Sequence, residues 1–139
     1  MSGKRDLHVI LATMDVIRRP GAFAYVQAAP GTPPPDGTFA MIDEGDSTTY
    51  IVDADGPLGS RAPFRAAWLT ITVHTSLESV GLTAALAGAL AARGIPANVL
   101  AGFYHDHVLV PEDLADDAVA ALRALTESPP GAPADARSP

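Results

Sequence analysis

The stretch that decides the fold is residues 67–126, AWLTITVHTSLESVGLTAALAGALAARGIPANVLAGFYHDHVLVPEDLADDAVAALRALT. It begins with apolar and polar side chains in strict alternation, with Leu69, Ile71 and Val73 forming the apolar set. A period of two is typical of a β-strand that turns one face toward a core. The alternation therefore predicts a strand whose Leu69 side is buried.

An amphipathic helix is predicted next, over residues 76–93. Its apolar side chains recur at spacings of three and four, which place them on one helix face. Gly94 and Pro96 predict the end of the helix, because glycine often follows a helix and proline cannot continue one. The apolar stripe consists of Leu82, Ala85, Leu86, Ala89 and Leu90.

Two short strands and a second helix complete this unit. The strands are predicted at residues 98–103 and 107–110, with a tight turn around residues 104–106. Pro111, followed by two acidic residues, favours a helix start, because proline suits the first turn and carboxylates favour the positive helix end. The predicted order β-α-β-β-α lacks only the last strand of the ferredoxin-like βαββαβ plan, so the expected fold class is α+β.

Four segments of this stretch resemble an ACT domain, the small ligand-sensing module attached to many enzymes of amino-acid metabolism. The segments are residues 67–70, 76–85, 94–99 and 104–107. The whole chain, over roughly residues 7–125, resembles stand-alone proteins built from a pair of ACT-like halves. The resemblance implies a ferredoxin-like fold and a regulatory or sensor module that binds a small molecule, plausibly an amino acid, without catalysis and without a cofactor.

The expected organisation has three parts. Residues 1–64 form a reduced, strand-rich ACT-like half, residues 65–127 form the βαββα unit, and residues 128–139 form a disordered tail rich in proline and alanine. Residues 23–27 show no helical stripe at the point where a complete first ACT unit would have a helix, and the strands of the first half are predicted at residues 7–11, 23–27, 38–42 and 48–53.

The missing last strand of the second unit leaves an open sheet edge. Either residues 7–11 or another strand of the first half is expected to fill it, because an open row of unpaired amides is a liability. Residues 15–21 are rich in structure breakers and are predicted as a turn.

Composition restricts the classes of protein. The chain of 139 residues carries a net charge of -7, which argues against nucleic acid and anionic membranes as partners. It contains no cysteine, so disulfides and thiolate metal sites are excluded. No signal-peptide core and no apolar run of membrane length is present, and a cytoplasmic location is expected. ACT-like units commonly pair side by side, so a homodimer is also expected.

The resemblance also implies a ligand site at the loop before the first helix. Backbone amides at a helix start attract a carboxylate. Ser76 and Glu78 stand where polar contacts occur in the family, Gly81 matches its glycine, and Val80 replaces its usual proline. The alternative is ordinary capping by Ser76 or Ser79, and a strand-entry hydrogen bond for Asn98. The expected ligand-binding residues are Thr75, Ser76, Glu78, Val80, Gly81 and Asn98.

A second candidate site is a histidine corner. The end of the first strand lies opposite the start of the third, so His74, His105 and His107 are expected near one another, with Asp106. Imidazole and carboxylate ligands suit zinc or another transition metal. The alternative is a turn whose polar side chains bind nearby backbone. Nothing surrounds Ser76 that would make it a catalytic nucleophile. Three hypotheses remain, namely a ligand-binding module, a protein-interaction module without ligand, and a metal-dependent enzyme.

Overall fold

The computed structural model describes residues 3–73 and 80–127. The predicted tail, residues 128–139, lies outside these ranges. The elements are α1 (Gly3–Thr13), β1 (Asp15–Arg18), β2 (Phe23–Ala28), β3 (Ala40–Asp43), β4 (Thr48–Asp53), β5 (Ala66–Thr72), α2 (Leu82–Ala91), β6 (Asn98–Ala101), β7 (Asp106–Pro111) and α3 (Ala115–Glu127). Short 3-10 turns occupy Gly59–Arg61 and Glu112–Leu114.

One antiparallel sheet runs through both halves in the order β3-β4-β2-β5-β7-β6, and β1 pairs with β5 beside β2. The predicted β-α-β-β-α order of the second unit is confirmed as β5-α2-β6-β7-α3. Strand β1 takes the place of the missing last strand, with Asp15 opposite Thr72 and Arg18 opposite Leu69. The first half therefore fills the open edge, as expected.

Two predictions for the beginning of the chain are wrong. Residues 7–11 belong to helix α1 rather than to a strand, with Leu11 fully buried. Residues 15–18 form strand β1 rather than a turn, with Val16 buried opposite Ile71. Five residues of weak alternation do not separate a period of two from one of 3.6. For residues 15–18, the nearby breakers Pro20 and Gly21 suggest a turn, whereas β-branched Val16 and Ile17 favour the strand that pairs with β5.

The predicted face of β5 is confirmed. Leu69 and Ile71 are fully buried between the sheet and the helices, and Val73 packs partly buried against the same core. Helices α1, α2 and α3 all lie on this side, called here the helix face of the sheet. The helices contribute Leu11 from α1, Leu82, Leu86 and Leu90 from α2, and Ala118, Ala121, Leu122 and Leu125 from α3.

Glycine ends helix α2 as the sequence predicts. The predicted first turn, residues 76–79, lies outside the described residues, and the helix is confirmed over Leu82–Ala91. Gly94 has a positive φ of 71°, and its N–H bonds the carbonyl of Ala91 at 2.9 Å. A left-handed residue at this point satisfies carbonyls that the helix leaves free.

The opposite side of the sheet, called here the outer face, has its own cluster. Phe23, Ile51, Ala66, Trp68 and Leu109 are buried there. Phe39, just before β3, lies edge-on to the ring of Phe23, with centroids 5.1 Å apart. The residues before β3 thus cover one end of the outer face.

Arg65, just before β5, connects the two halves through side-chain hydrogen bonds. Its guanidinium bonds Asp55 of the connecting loop at 2.7 Å and Glu112 beyond β7 at 2.8 Å. The arginine lowers the pKa of both carboxyl groups through hydrogen bonds and charge. These groups are exposed, so the pairs fix the geometry of the connection more than they stabilise the fold.

Over residues 3–73 and 80–127, none of the helices has the length and apolar character needed to cross a bilayer.

Candidate functional site

The start of helix α2 carries the described part of the predicted ligand loop. Thr75, Ser76 and Glu78 lie outside the described residues. Gly81 is the N-cap of α2 with a left-handed φ of 99°, and it has no side chain with which to cap the helix. Val80 precedes it with 74% of its surface exposed. In the part of this loop that the structure describes, residues 80 and 81, no side chain caps the first amides of α2, and uncapped amides at a helix start are the arrangement that receives an anion.

Gly81 is required by the backbone and by a close approach. A Cβ at this position would lie 2.9 Å from Cδ2 of Leu7 in α1. Its positive φ is also a conformation that residues with a side chain rarely adopt. Replacing Gly81 would thus strain the fold as well as any ligand site.

Asn98 lies away from Gly81 within one chain. It pairs with Leu109, which pairs with Trp68 near the start of β5, while Ala101 at the other end of β6 pairs with Asp106. Directly opposite residues share a sheet face, so exposed Asn98 lies on the outer face. One chain therefore does not bring Asn98 beside the start of α2, and a site containing both residues needs a second copy.

Asp106, unlike Asn98, lies on the helix face at the end of the sheet where α2 begins. It pairs with Ile71, whose side chain is in the helix-face core, so Asp106 begins on the helix face. Strands β5 and β6 are parallel, and α2 connects them, so α2 runs back and begins at the Asp106 end of the sheet. Asp106 is half-buried, and burial raises the pKa of its carboxyl while the charge of His107 opposes that shift.

The sequence did not predict this position of Asp106. It suggested Asp106 as a metal ligand beside the histidines or as part of a polar turn, and not as a residue at the helix-face end where α2 begins. The available signal was its place directly opposite a core-facing isoleucine, which becomes visible only when the register of β5 and β7 is known.

His107 is held by side chains rather than left free for a metal. The indole N–H of Trp68 donates to its Nδ1 at 3.0 Å, and the hydroxyl of Thr70 lies 3.1 Å from the same atom. Because an indole nitrogen is only a donor, Nδ1 is the acceptor and the ring proton is on Nε2. The alternative prediction is a turn whose polar side chains bind nearby backbone. His107 instead lies in strand β7 and bonds two side chains of the neighbouring strand β5.

The metal hypothesis gains no support from the described residues. His74 lies outside them, and among residues 3–73 and 80–127 no group of three histidine, aspartate or glutamate side chains could hold a metal ion. The predicted turn between β6 and β7 is present, with the N–H of Gly102 donating to the carbonyl of His105 at 2.8 Å.

The side chains of Arg19 and Trp68 stack on each other, a contact that the sequence did not predict. The guanidinium carbon of Arg19 lies 4.1 Å from the ring centroid of Trp68 and 5.9 Å from that of Phe39. Arg19 follows β1, and its N–H donates to the carbonyl of Trp68 at 2.9 Å. The arrangement is a cation–π stack on the outer face of the sheet.

The His107 environment gives a prediction about pH. Burial lowers the pKa of His107, as do the charges of Arg19 and His105, while Asp106 acts in the opposite direction. The unfolded chain then binds a proton more readily than the folded protein. The free energy of unfolding should therefore fall as the pH drops below about 6.5, the ordinary histidine value.

Urea denaturation at pH 7.5 and at pH 5.5 measures this effect, with His107→Gln as the comparison. Glutamine keeps an acceptor for the indole N–H but does not titrate. The loss of stability between the two pH values should be smaller in His107→Gln than in the wild-type chain. An equal loss in both proteins would assign the pH dependence to other groups.

Comparisons with known proteins agree with this architecture. A family model described as an ACT domain matches residues 64–124. The chain is similar to a Vibrio cholerae protein of unknown function, VC0802, named as a possible transport protein, with 32% identity over 90% of this chain and 99% of that one and a TM-score of 0.76. No curated protein matches the sequence.

Two more distant structures share the fold alone. Protein Atu0741 from Agobacterium tumefaciens is 14% identical over 81% of this chain and 89% of that one, with a TM-score of 0.59. A structure of aspartokinase alpha and beta subunits is 12% identical over 81% of this chain and 97% of that one, with a TM-score of 0.54. The match to the family model and the βαββα unit with its left-handed glycine before the first helix lead to one conclusion. The chain is an ACT-domain protein, with the domain at residues 64–124.

Proposed function

We propose that this ACT-domain chain is a non-catalytic regulatory module that binds a small zwitterionic metabolite, an amino acid, at the start of helix α2. The observation that carries the proposal is the helix start at Gly81, a left-handed N-cap residue that has no side chain with which to cap the first amides. The ligand carboxylate accepts from these amides, where the helix dipole adds partial positive charge.

The ligand ammonium needs an acceptor near the same point. Asp106 supports this part of the proposal, because it is half-buried and lies on the helix face at the end of the sheet where α2 begins. A charge-assisted bond from an ammonium to a half-buried carboxylate is stronger than one between neutral groups. The carboxylate of Glu78 is the other candidate acceptor in sequence.

We further propose that the module acts as a homodimer in the cytoplasm. Strands β3 and β6 end the sheet, and in the described part of the chain each of them pairs with one other strand. A closed two-fold pair is the commonest way to cover such an edge. It would also bring the Asn98 of one copy toward the ligand of the other. Sedimentation equilibrium at micromolar concentration is expected to give twice the mass of one chain, and a single-chain mass would remove the dimer.

A thermal-shift screen against the common amino acids tests the ligand proposal first. A compound that binds only the folded state raises the melting temperature, and above Kd the rise grows with the logarithm of the compound's concentration. At least one amino acid should give such a concentration-dependent rise. If none does, the chain is better explained as an interaction module, for which exposed Phe103 and Tyr104 at the tip of the β6–β7 turn offer an apolar surface.

Two substitutions of Val80 locate the site. Val80 is exposed, so neither change should disturb the fold. Val80→Asp places a negative charge beside the helix start and repels the ligand carboxylate, whereas Val80→Asn has nearly the same shape without the charge. Calorimetric titration should show affinity lower by about tenfold in Val80→Asp than in Val80→Asn, which corresponds to about 1.4 kcal/mol. Equal affinities would move the site away from α2.

A further inference from the structure

We propose that Arg19, stacked on Trp68, forms a second ligand site on the outer face of the sheet, one that binds the carboxylate of a small apolar acid. This site is separate from the start of α2, since Trp68 and Gly81 belong to opposite faces of the sheet. The site consists of the guanidinium of Arg19, the buried ring of Trp68 on which it stacks, and the exposed apolar side chains of Ile17 and Phe39.

Arg19 differs from three other arginines that contact the sheet or its connections. Arg18 pairs with Asp116, Arg65 with Asp55 and Glu112, and Arg123 with Asp15. Among the side chains that the structure describes, those of residues 7–73 and 80–127, Arg19 has no carboxylate within ion-pair distance. Its guanidinium is nevertheless held in place by the rings beneath it. Stacking occupies the flat face of a guanidinium and leaves the N–H donors at its edge, which match both oxygens of a carboxylate.

Trp68 is a fixed platform. Only 4% of its surface is exposed, and its N–H is committed to Nδ1 of His107. Its ring also lies edge-on to that of Phe23, with centroids 5.3 Å apart. A guanidinium stacked on an immobile ring loses little further freedom when it binds a ligand, and this lowers the entropic cost of binding.

The surroundings of Arg19 select the body of the ligand. Ile17 precedes Arg19 by two residues on β1 and therefore lies on the same face, with 53% of its surface exposed. Phe39 lies on the other side of the stack and is 48% exposed. The chain carries a net charge of -7, so long-range attraction does not bring anions to this face. An acid with a short apolar body contacts both the guanidinium of Arg19 and the side chains of Ile17 and Phe39. An inorganic anion contacts only the guanidinium.

Trp68 is the only tryptophan of the chain, so its indole N–H resonance and its fluorescence report on this site alone. The probes are isovalerate and phenylacetate, each compared with its uncharged amide. We expect the acids to shift the indole resonance saturably and the amides to leave it nearly unchanged. The affinity of the acids should fall by about tenfold or more in Arg19→Gln, the loss expected for a bidentate charged contact.

Arg18→Gln is the matched control, because it removes the neighbouring arginine and should bind the acids as the wild-type chain does. Val80→Asp should also leave the indole response unchanged, which separates this site from the one proposed at α2. Should Arg19→Gln fail to fold, Arg19→Lys keeps the charge but not the guanidinium and is expected to bind the acids more weakly. The proposal is overturned if the indole resonance shows no saturable shift, if acids and amides act alike, or if the Arg19 variant that folds binds as tightly as the wild-type chain.

Discussion

Ile71→Asp is expected to leave the chain unfolded at room temperature. Ile71 is fully buried in the helix-face core, between Val16 of β1 and Asp106 of β7. A carboxylate there would have no partner, and the carboxyl of Asp106 would lie directly opposite on the same face, where like charges destabilise. An unpaired buried charge costs several kcal/mol, which is comparable with the whole stability of a domain of this size, about 5–15 kcal/mol.

Ile17→Asp is the matched control, since it makes the same chemical change on the next strand. Ile17 is more than half exposed on the outer face. The change should cost no more than about 1 kcal/mol, as substitutions at exposed positions usually do. Far-UV circular dichroism and thermal melting measure both variants. If the two proteins melt at the same temperature, the assignment of β5 faces is wrong.

The sequence predicts the second unit well because its signals are local. The alternation at Leu69 and Ile71 and the glycine stop at Gly94 each act within one element, so no knowledge of partners is needed. The first half depends on partners. Val16 and Ile17 favour a strand, but a segment of four residues beside Pro20 and Gly21 is too short to be recognised alone, and it becomes β1 because the edge of β5 is open to it.

In the candidate site, too, the features that depend on neighbouring residues could be predicted, and those that depend on distant residues could not. The glycine before α2 could be predicted because the helix start and its left-handed residue are neighbours in sequence. The contact between Trp68 and His107 joins residues 39 positions apart, and the stack of Arg19 on Trp68 joins the residue after β1 to strand β5 of the other half. The position of Asn98 relative to Gly81 depends on strand direction and register. Local patterns carry neither, so the predicted site combined residues that one chain keeps apart.

A second large effect is expected from a single methyl group at Gly59. Gly59 is buried in the short 3-10 turn between β4 and β5. A Cβ there would overlap the carbonyl oxygen of Asp53 and lie 2.8 Å from Cα of Ala54. Both neighbours are backbone at the end of β4, so no flexible side chain can move away. Gly59→Ala must displace the turn, and we expect it to lower the free energy of unfolding by about 3 kcal/mol, the upper range for an added methyl group in a packed site.

Gly88→Ala makes the same change with the opposite expected sign. Gly88 is exposed in the middle of helix α2, and a Cβ there meets no atom within 4 Å. Alanine restricts the unfolded chain and favours the helix, so this variant should be more stable by about 0.5–1 kcal/mol. Urea denaturation of both variants gives the two free energies. A loss at Gly59 as small as the gain at Gly88 would mean that the connection between β4 and β5 can shift at little cost in free energy, and that the tight turn does not fix it.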